Sequence, residues 1–166
     1  LSVITLSWHE VGNAAIVGSR RQMLSLKDGR KDAHGFDGVG WSEHIEGALG
    51  EMALAKMLGV YWGVEANRFK LPDVGSLQVR TRSSHGYDLI VRENDADDEY
   101  FVLVTGKCPT YWIRGAILGR DAKKPEFLKK YGGREPAYFV PVNALGGVPG
   151  GTERCPQERQ QLQPQS

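Results

Sequence analysis

Cysteine is scarce in this 166-residue chain: Cys108 and Cys155 stand far apart and form no CxxC pair, and the four histidines show no metal-ligand spacing. These absences argue against a structural zinc site and a disulfide framework, and they fit a reducing compartment. No run approaches the roughly 18 apolar residues of a membrane span. Excess charge of one sign is also missing. Lys and Arg number 21 and Asp and Glu 20, a formal charge of +1, so any surface for a polyanionic partner has to be local. There is no internal repeat. Residues 1–18 lack a basic n-region and carry His9 and Glu10, unlike a signal peptide. The chain opens on Leu1 rather than Met, as a trimmed or partial chain would. Its length suits one domain with a full core.

What the chain does have is regular punctuation. Residues 1–41 read as an N-terminal extension, with one short helix around 8–17 and a Gly- and charge-rich connection over 27–40. Ser42 offers an N-cap for a long helix over 43–58, and Gly59 offers its C′ residue. Strand signals follow at 77–82, 87–92, 100–105 and 111–118, β-branched or aromatic and separated by turn residues. A short helix is predicted over 122–131 with Pro125 in its first turn, then a last strand over 137–142. Residues 146–166 turn to Gly, Pro and Gln and are predicted to be a disordered tail, leaving 42–145 as the domain. Helix, several strands, helix, strand predicts an α/β sandwich: a mixed central sheet flanked by helices.

The densest polar chemistry lies in Asp73-Val-Gly-Ser-Leu-Gln78-Val-Arg80-Thr-Arg82. From Leu77 onward, Leu77, Val79 and Thr81 point one way, and Gln78, Arg80 and Arg82 the other. On the preceding helix the neighbours of Glu51 are Gly47, Ala48, Leu54 and Ala55, so its carboxylate sits on the face that packs. Such a carboxylate needs a partner, a proton or a cation. Arg80 or Lys56 is one expected partner, and a metal or phosphate site the other reading. Asp73 after Pro72 reads as turn chemistry in its own right. The basic residues 119–134 read as a solvated helix face or a DNA-backbone groove, and Arg20, Arg21, Lys27, Arg30 and Lys31 as a solvated run. Residues 94–99 read as an acidic turn, not a calcium loop, and Thr105-Gly106-Lys107 is no P-loop. His85 reads as a surface turn with a proton shuttle as the alternative; Trp62, Trp112, Tyr138 and Phe139 read as core aromatics.

The Asp73 strand resembles the metal-and-phosphate strand of the PD-(D/E)xK nuclease superfamily, an acid followed by acid-x-Lys, with Gln78 in place of the second acid and Arg80 in place of the lysine. From 47 to 145 the chain also resembles a family of tailed-phage and prophage proteins. The shared motifs here are Gly47-Ala-Leu-Gly-Glu51, Asp73-Val-Gly-Ser-Leu-Gln78-Val-Arg80, Tyr100-Phe-Val-Leu-Val-Thr-Gly106, Gly119-Arg-Asp-Ala-Lys123 and Pro136-Ala-Tyr-Phe-Val-Pro141. The resemblance implies a restriction-endonuclease-like αβββαβ core that hydrolyses DNA phosphodiester bonds with Mg2+ or Mn2+. Glu51, Asp73 and Gln78 would hold the metal, Arg80 would clamp phosphate, and Arg82, Lys123 and Lys124 would meet DNA. It implies work in the host cytoplasm or the virion, with DNA or other phage proteins as partners and no membrane. Gln78 brings no charge to a metal, and Arg80 does not titrate near neutrality. A non-catalytic nuclease-fold protein binding nucleic acid or another phage protein therefore stays open beside the enzyme.

Overall fold

The computed structural model describes residues 1–28, 40–62 and 73–150. In chain order its elements are β1 (Ser2–Thr5), α1 (Trp8–Lys27), α2 (Gly40–Leu58), β2 (Leu77–Arg82), β3 (Leu89–Val91), β4 (Tyr100–Lys107), β5 (Thr110–Leu118), the single turn α3 (Gly119–Ala122), β6 (Leu128–Lys129) and β7 (Ala137–Val140). Short 3-10 turns lie at Pro125–Phe127 and Val142–Ala144. The fold is mixed α/β, and its main sheet is mixed, with order β1-β5-β4-β2. There β2 runs parallel to β4, while β4–β5 and β5–β1 are antiparallel.

β4 organises the core because it is buried on both faces. Val102 and Val104 face α1 and α2 in a cluster with Leu54, Ala48, Val17, Leu77 and Val79. Phe101 and Leu103 face the other way and pack with Leu89, Val91 and Val140. Those last residues belong to a smaller antiparallel sheet of order β3-β7-β6. The chain is thus layered as helices, main sheet and small sheet. The strand after β2 leaves for the small sheet and β4 returns parallel to β2, so the strands after α2 do not form one uninterrupted meander.

Local chemistry explains the helix ends. Ser7 and Glu10 form a reciprocal capping box, with Ser7 N–H donating to Glu10 Oε2 at 2.6 Å and Glu10 N–H to Ser7 Oγ at 3.3 Å. α2 closes at Gly59, whose φ of +65° is the left-handed C′ conformation expected. Three expectations change. Ser42 lies inside the first turn of α2, which begins at Gly40. The segment read as an N-terminal extension supplies an edge strand to the main sheet and a 20-residue helix that packs on α2 through Ala14 and Val17. The helix predicted over 122–131 ends after one turn. Pro125 favours an extended Lys124, whose ψ is 145°, and Leu128–Lys129 then pairs with β7. Gly146 bridges Ala116 and Val148 packs on the core, while residues 151–166 of the predicted tail lie outside the described residues.

Two glycines set the helix positions. Gly18 abuts the Ile45 backbone where α1 meets α2, and Gly50 abuts Thr81 where α2 meets β2. Gly18→Ala should cost about 1–3 kcal/mol, because the backbones must part. Gly12, on the same helix with open space around it, should gain about 0.5–1 kcal/mol as Ala from helix propensity alone. Urea melts of the two variants check both signs.

Candidate functional site

Contact of Gly50 with Thr81 seats the central turn of α2 on β2 and places the adjacent Glu51 in the interior, 4% exposed. A buried carboxylate requires a counter-charge, and α1 supplies it. Ala14, Val17, Gly18 and Arg21 follow the i, i+3, i+4, i+7 spacing of one helix face, the first three buried. Arg21 continues that stripe and meets Glu51 with a two-pronged fork, Nη1 to Oε1 at 2.5 Å and Nη2 to Oε2 at 2.8 Å. Trp62 Nε1–H donates a third bond to Glu51 Oε2 at 3.1 Å. Burial opposes the Arg21 charge, but the Glu51 bonds and the charges of Glu51 and Asp73 more than offset it, holding its pKa above the ordinary value.

Asp73 stands beside the outer edge of β2. A tight turn closes with Val74 N–H to Leu77 O at 3.1 Å and Leu77 N–H to Val74 O at 2.9 Å. This folds Asp73 back so that its Oδ2 accepts the Val79 N–H at 2.7 Å. Burial first, then the Glu51 charge, pushes the Asp73 pKa up to about 6, against lowering by the Val79 bond and by the charges of Arg80 and Arg21. Glu51, Asp73, Arg80 and Arg21 therefore share one electrostatic neighbourhood.

The alternating polar row of β2 turns to the opposite side of the sheet. Gln78 Nε2 donates to Glu99 Oε2 at 2.8 Å. Arg80 Nη2 reaches both Asp95 oxygens at 3.1 Å, and its guanidinium lies 5.0 Å over the Phe101 ring. Arg82 lies 4.7 Å over Tyr87. Lys123 Nζ staples the acidic loop: it donates to Glu93 O at 2.9 Å, Asp95 O at 2.5 Å and Asp97 Oδ1 at 2.7 Å. Lys124 is exposed. Lys56, one expected partner of Glu51, binds Glu10 Oε2 at 2.7 Å and Thr5 O at 3.0 Å instead.

Sequence reasoning missed Arg21, which it placed in a solvated run, and Trp62, which it took for a core aromatic alone. The signal for Arg21 was present: a cation on the apolar stripe of one helix, opposite an acid on the apolar face of the next. Among the described residues no group of three or more His, Cys, Asp or Glu side chains is arranged to hold a metal ion. No helix there is long and apolar enough to cross a membrane. No family model, curated protein or solved structure matches the chain.

Two tests follow from this geometry. An Asp73 pKa raised from 3.8 to about 6 means that the folded state binds the proton more tightly than the unfolded state. Its contribution is most favourable below 3.8 and is lost as pH rises through 6, at about 1.4 kcal/mol per pKa unit or on the order of 3 kcal/mol in all. Asp73→Asn should remove this fall from a pH series of denaturant melts and be the more stable protein above pH 6. Arg21→Ala should cost about 3–5 kcal/mol by stranding Glu51, and Arg21→Ala with Glu51→Gln should recover most of that loss in a double-mutant cycle.

Proposed function

We propose that this chain is a PD-(D/E)xK-like protein of tailed phages, built on a restriction-endonuclease-like core, that hydrolyses DNA phosphodiester bonds with Mg2+ or Mn2+ in the host cytoplasm. The observation that carries this reading is the placement of Asp73, folded back on β2 by the Val79 N–H bond and near enough to the helix acid Glu51 for their charges to interact. The nuclease pattern sets a helix acid beside a strand acid in this way, while Arg80 lies on the other face of β2, bonded to Asp95. The donor chemistry fits a hard divalent cation, since Mg2+ takes one or two carboxylates and keeps several waters. Glu51 and Asp73 would hold it; Gln78, expected as a weaker donor, lies on the other face of the sheet and bonds Glu99 instead.

Both Glu51 oxygens bond to Arg21, so a cation reaches Glu51 only as Arg21 withdraws. When bound, a divalent cation supplies Lewis-acid stabilisation of the phosphate and a nucleophile at neutral pH. Arg80 does the rest by charge: released from Asp95, its fork can take two phosphate oxygens and offset charge that grows in the transition state. It moves no proton, because a guanidinium stays protonated near neutrality.

One observation favours the second reading, a non-catalytic binder of nucleic acid or another phage protein. Each proposed catalytic group already has a protein partner: Glu51 has Arg21 and Trp62, Gln78 has Glu99, and Arg80 has Asp95. Cleavage assays on single- and double-stranded DNA with Mg2+ or Mn2+, and EDTA as control, separate the two. The nuclease predicts metal-dependent cleavage that Glu51→Gln and Asp73→Asn abolish while DNA binding in EDTA persists. Gln78→Glu with Arg80→Lys should raise the rate. An inert wild type whose double variant is also inert overturns catalysis.

A further inference from the structure

The main sheet carries a second arrangement on its far side. Arg82, Thr105, Trp112 and Val3 are in register across β2, β4, β5 and β1, so their side chains share one face. Farther along that face the small sheet covers Phe101 and Leu103. This end is open: Val3 is 54% exposed, Tyr87 48%, and His85 is exposed as well. His85 is braced, its Nδ1 bonded to the buried Thr105 Oγ1 at 2.8 Å and its ring edge-on to Trp112 at 4.4 Å. Tyr87 lies beneath the Arg82 guanidinium. The turn after β6, closed by Arg134 N–H to Tyr131 O at 3.3 Å, brings Arg134 within electrostatic reach of Arg82. It also presents Tyr131, 56% exposed and edge-on to Phe139.

Positive charge gathers here with no ion pair to either arginine. Among the described residues neither Arg82 nor Arg134 forms an ion pair, and the buried Arg82 Nε has no hydrogen-bond partner. Asp88, the carboxylate in reach of Arg82, is paired with Lys129 at 3.5 Å. Burial, with Arg134 adding to it, draws the Arg82 pKa below its ordinary value, yet a guanidinium remains charged at neutral pH. Two cations without an ion-pair partner among the described residues, set among exposed rings, match a chain of phosphates carrying flat bases.

We propose that this face binds single-stranded nucleic acid, with Arg82 and Arg134 taking backbone phosphates and His85, Tyr87 and Tyr131 stacking on bases. A duplex hides its base faces and would leave the rings idle. This site lies across the sheet from Glu51 and needs no metal, so its test runs in EDTA and its outcome is independent of cleavage.

The measurement is fluorescence anisotropy of labelled oligothymidylate, oligouridylate, an abasic deoxyribose-phosphate strand and a duplex of equal length, over a salt series. The wild type should prefer the base-bearing single strands. Arg82→Gln and Arg134→Gln should each weaken binding about tenfold and reduce the log–log salt slope by about 0.7. Tyr87→Ser should weaken thymidylate binding about tenfold and leave the abasic strand unchanged. Arg134 and Tyr87 are exposed, so their variants should keep the wild-type melting curve. Either arginine variant weakening as expected beside intact Tyr87-dependent stacking supports the site. It is overturned by a wild type that binds the abasic strand or the duplex as tightly as thymidylate, or by arginine variants of unchanged affinity and slope.

Discussion

Before α2 can lie on the sheet, the charge of Glu51 has to be met inside the protein, and the Arg21 fork meets it across the interface between α1 and α2. A lone buried carboxylate costs several kcal/mol, and a lone guanidinium does too, so neither helix face is tolerable without the other. The net worth of such a pair over apolar residues is small. What it confers is position. Two parallel bonds from a planar fork fix both helices in rotation and register, which a lysine's single point charge would not. Gly18 and Gly50 permit the close approaches that let those bonds form, and Trp62 uses the remaining capacity of Oε2.

β2 sits at the sheet edge, and its two sides carry different electrostatics. Along the edge an unpaired N–H of Val79 would invite another strand; Asp73 occupies it with its own carboxylate. Facing the helices lies the Arg21–Glu51–Trp62 set. Facing the small sheet, Gln78 and Arg80 meet Glu99 and Asp95 on a loop that Lys123 holds by three bonds. The acidic run over 94–99 is therefore the counter-charge of the strand's polar row, and that accounts for acids collecting in this turn.

Much of the fold was legible because it rests on local periodicity. Period-two alternation marked β2, β-branched and aromatic runs between turn residues marked β4 and β5, and Gly59 marked the end of α2. β1 was missed: Val3-Ile4-Thr5 is β-branched, but the run is only four residues long and its partner β5 lies more than 100 positions away. The helix expected over 122–131 failed because Pro125 redirects the chain and β7 offers Leu128 a partner, a tertiary gain that propensity does not see. At the site, Glu51 and Asp73 were legible from burial pattern and turn chemistry. Their actual partners were not, since Arg21 lies 30 positions from Glu51 and was hidden in a basic run that resembles a solvated surface.

The charge ledger of the site bears directly on the nuclease reading. Arg80 is balanced by Asp95 and Arg21 by Glu51, which leaves Asp73 as the carboxylate without a cation of its own. Its pKa near 6 follows from burial first and then from the Glu51 charge, with no cation among the described residues close enough to cancel them. Below pH 6 a proton fills it; above pH 6 the neighbourhood is one negative charge in excess. Under the proposed nuclease reading a divalent cation would answer that excess, in competition with the proton at Asp73 and with Arg21 at Glu51. The guanidinium cannot serve both acids equally, because its planar fork is spent on one. On that reading mild alkalinity would favour the cation by emptying Asp73.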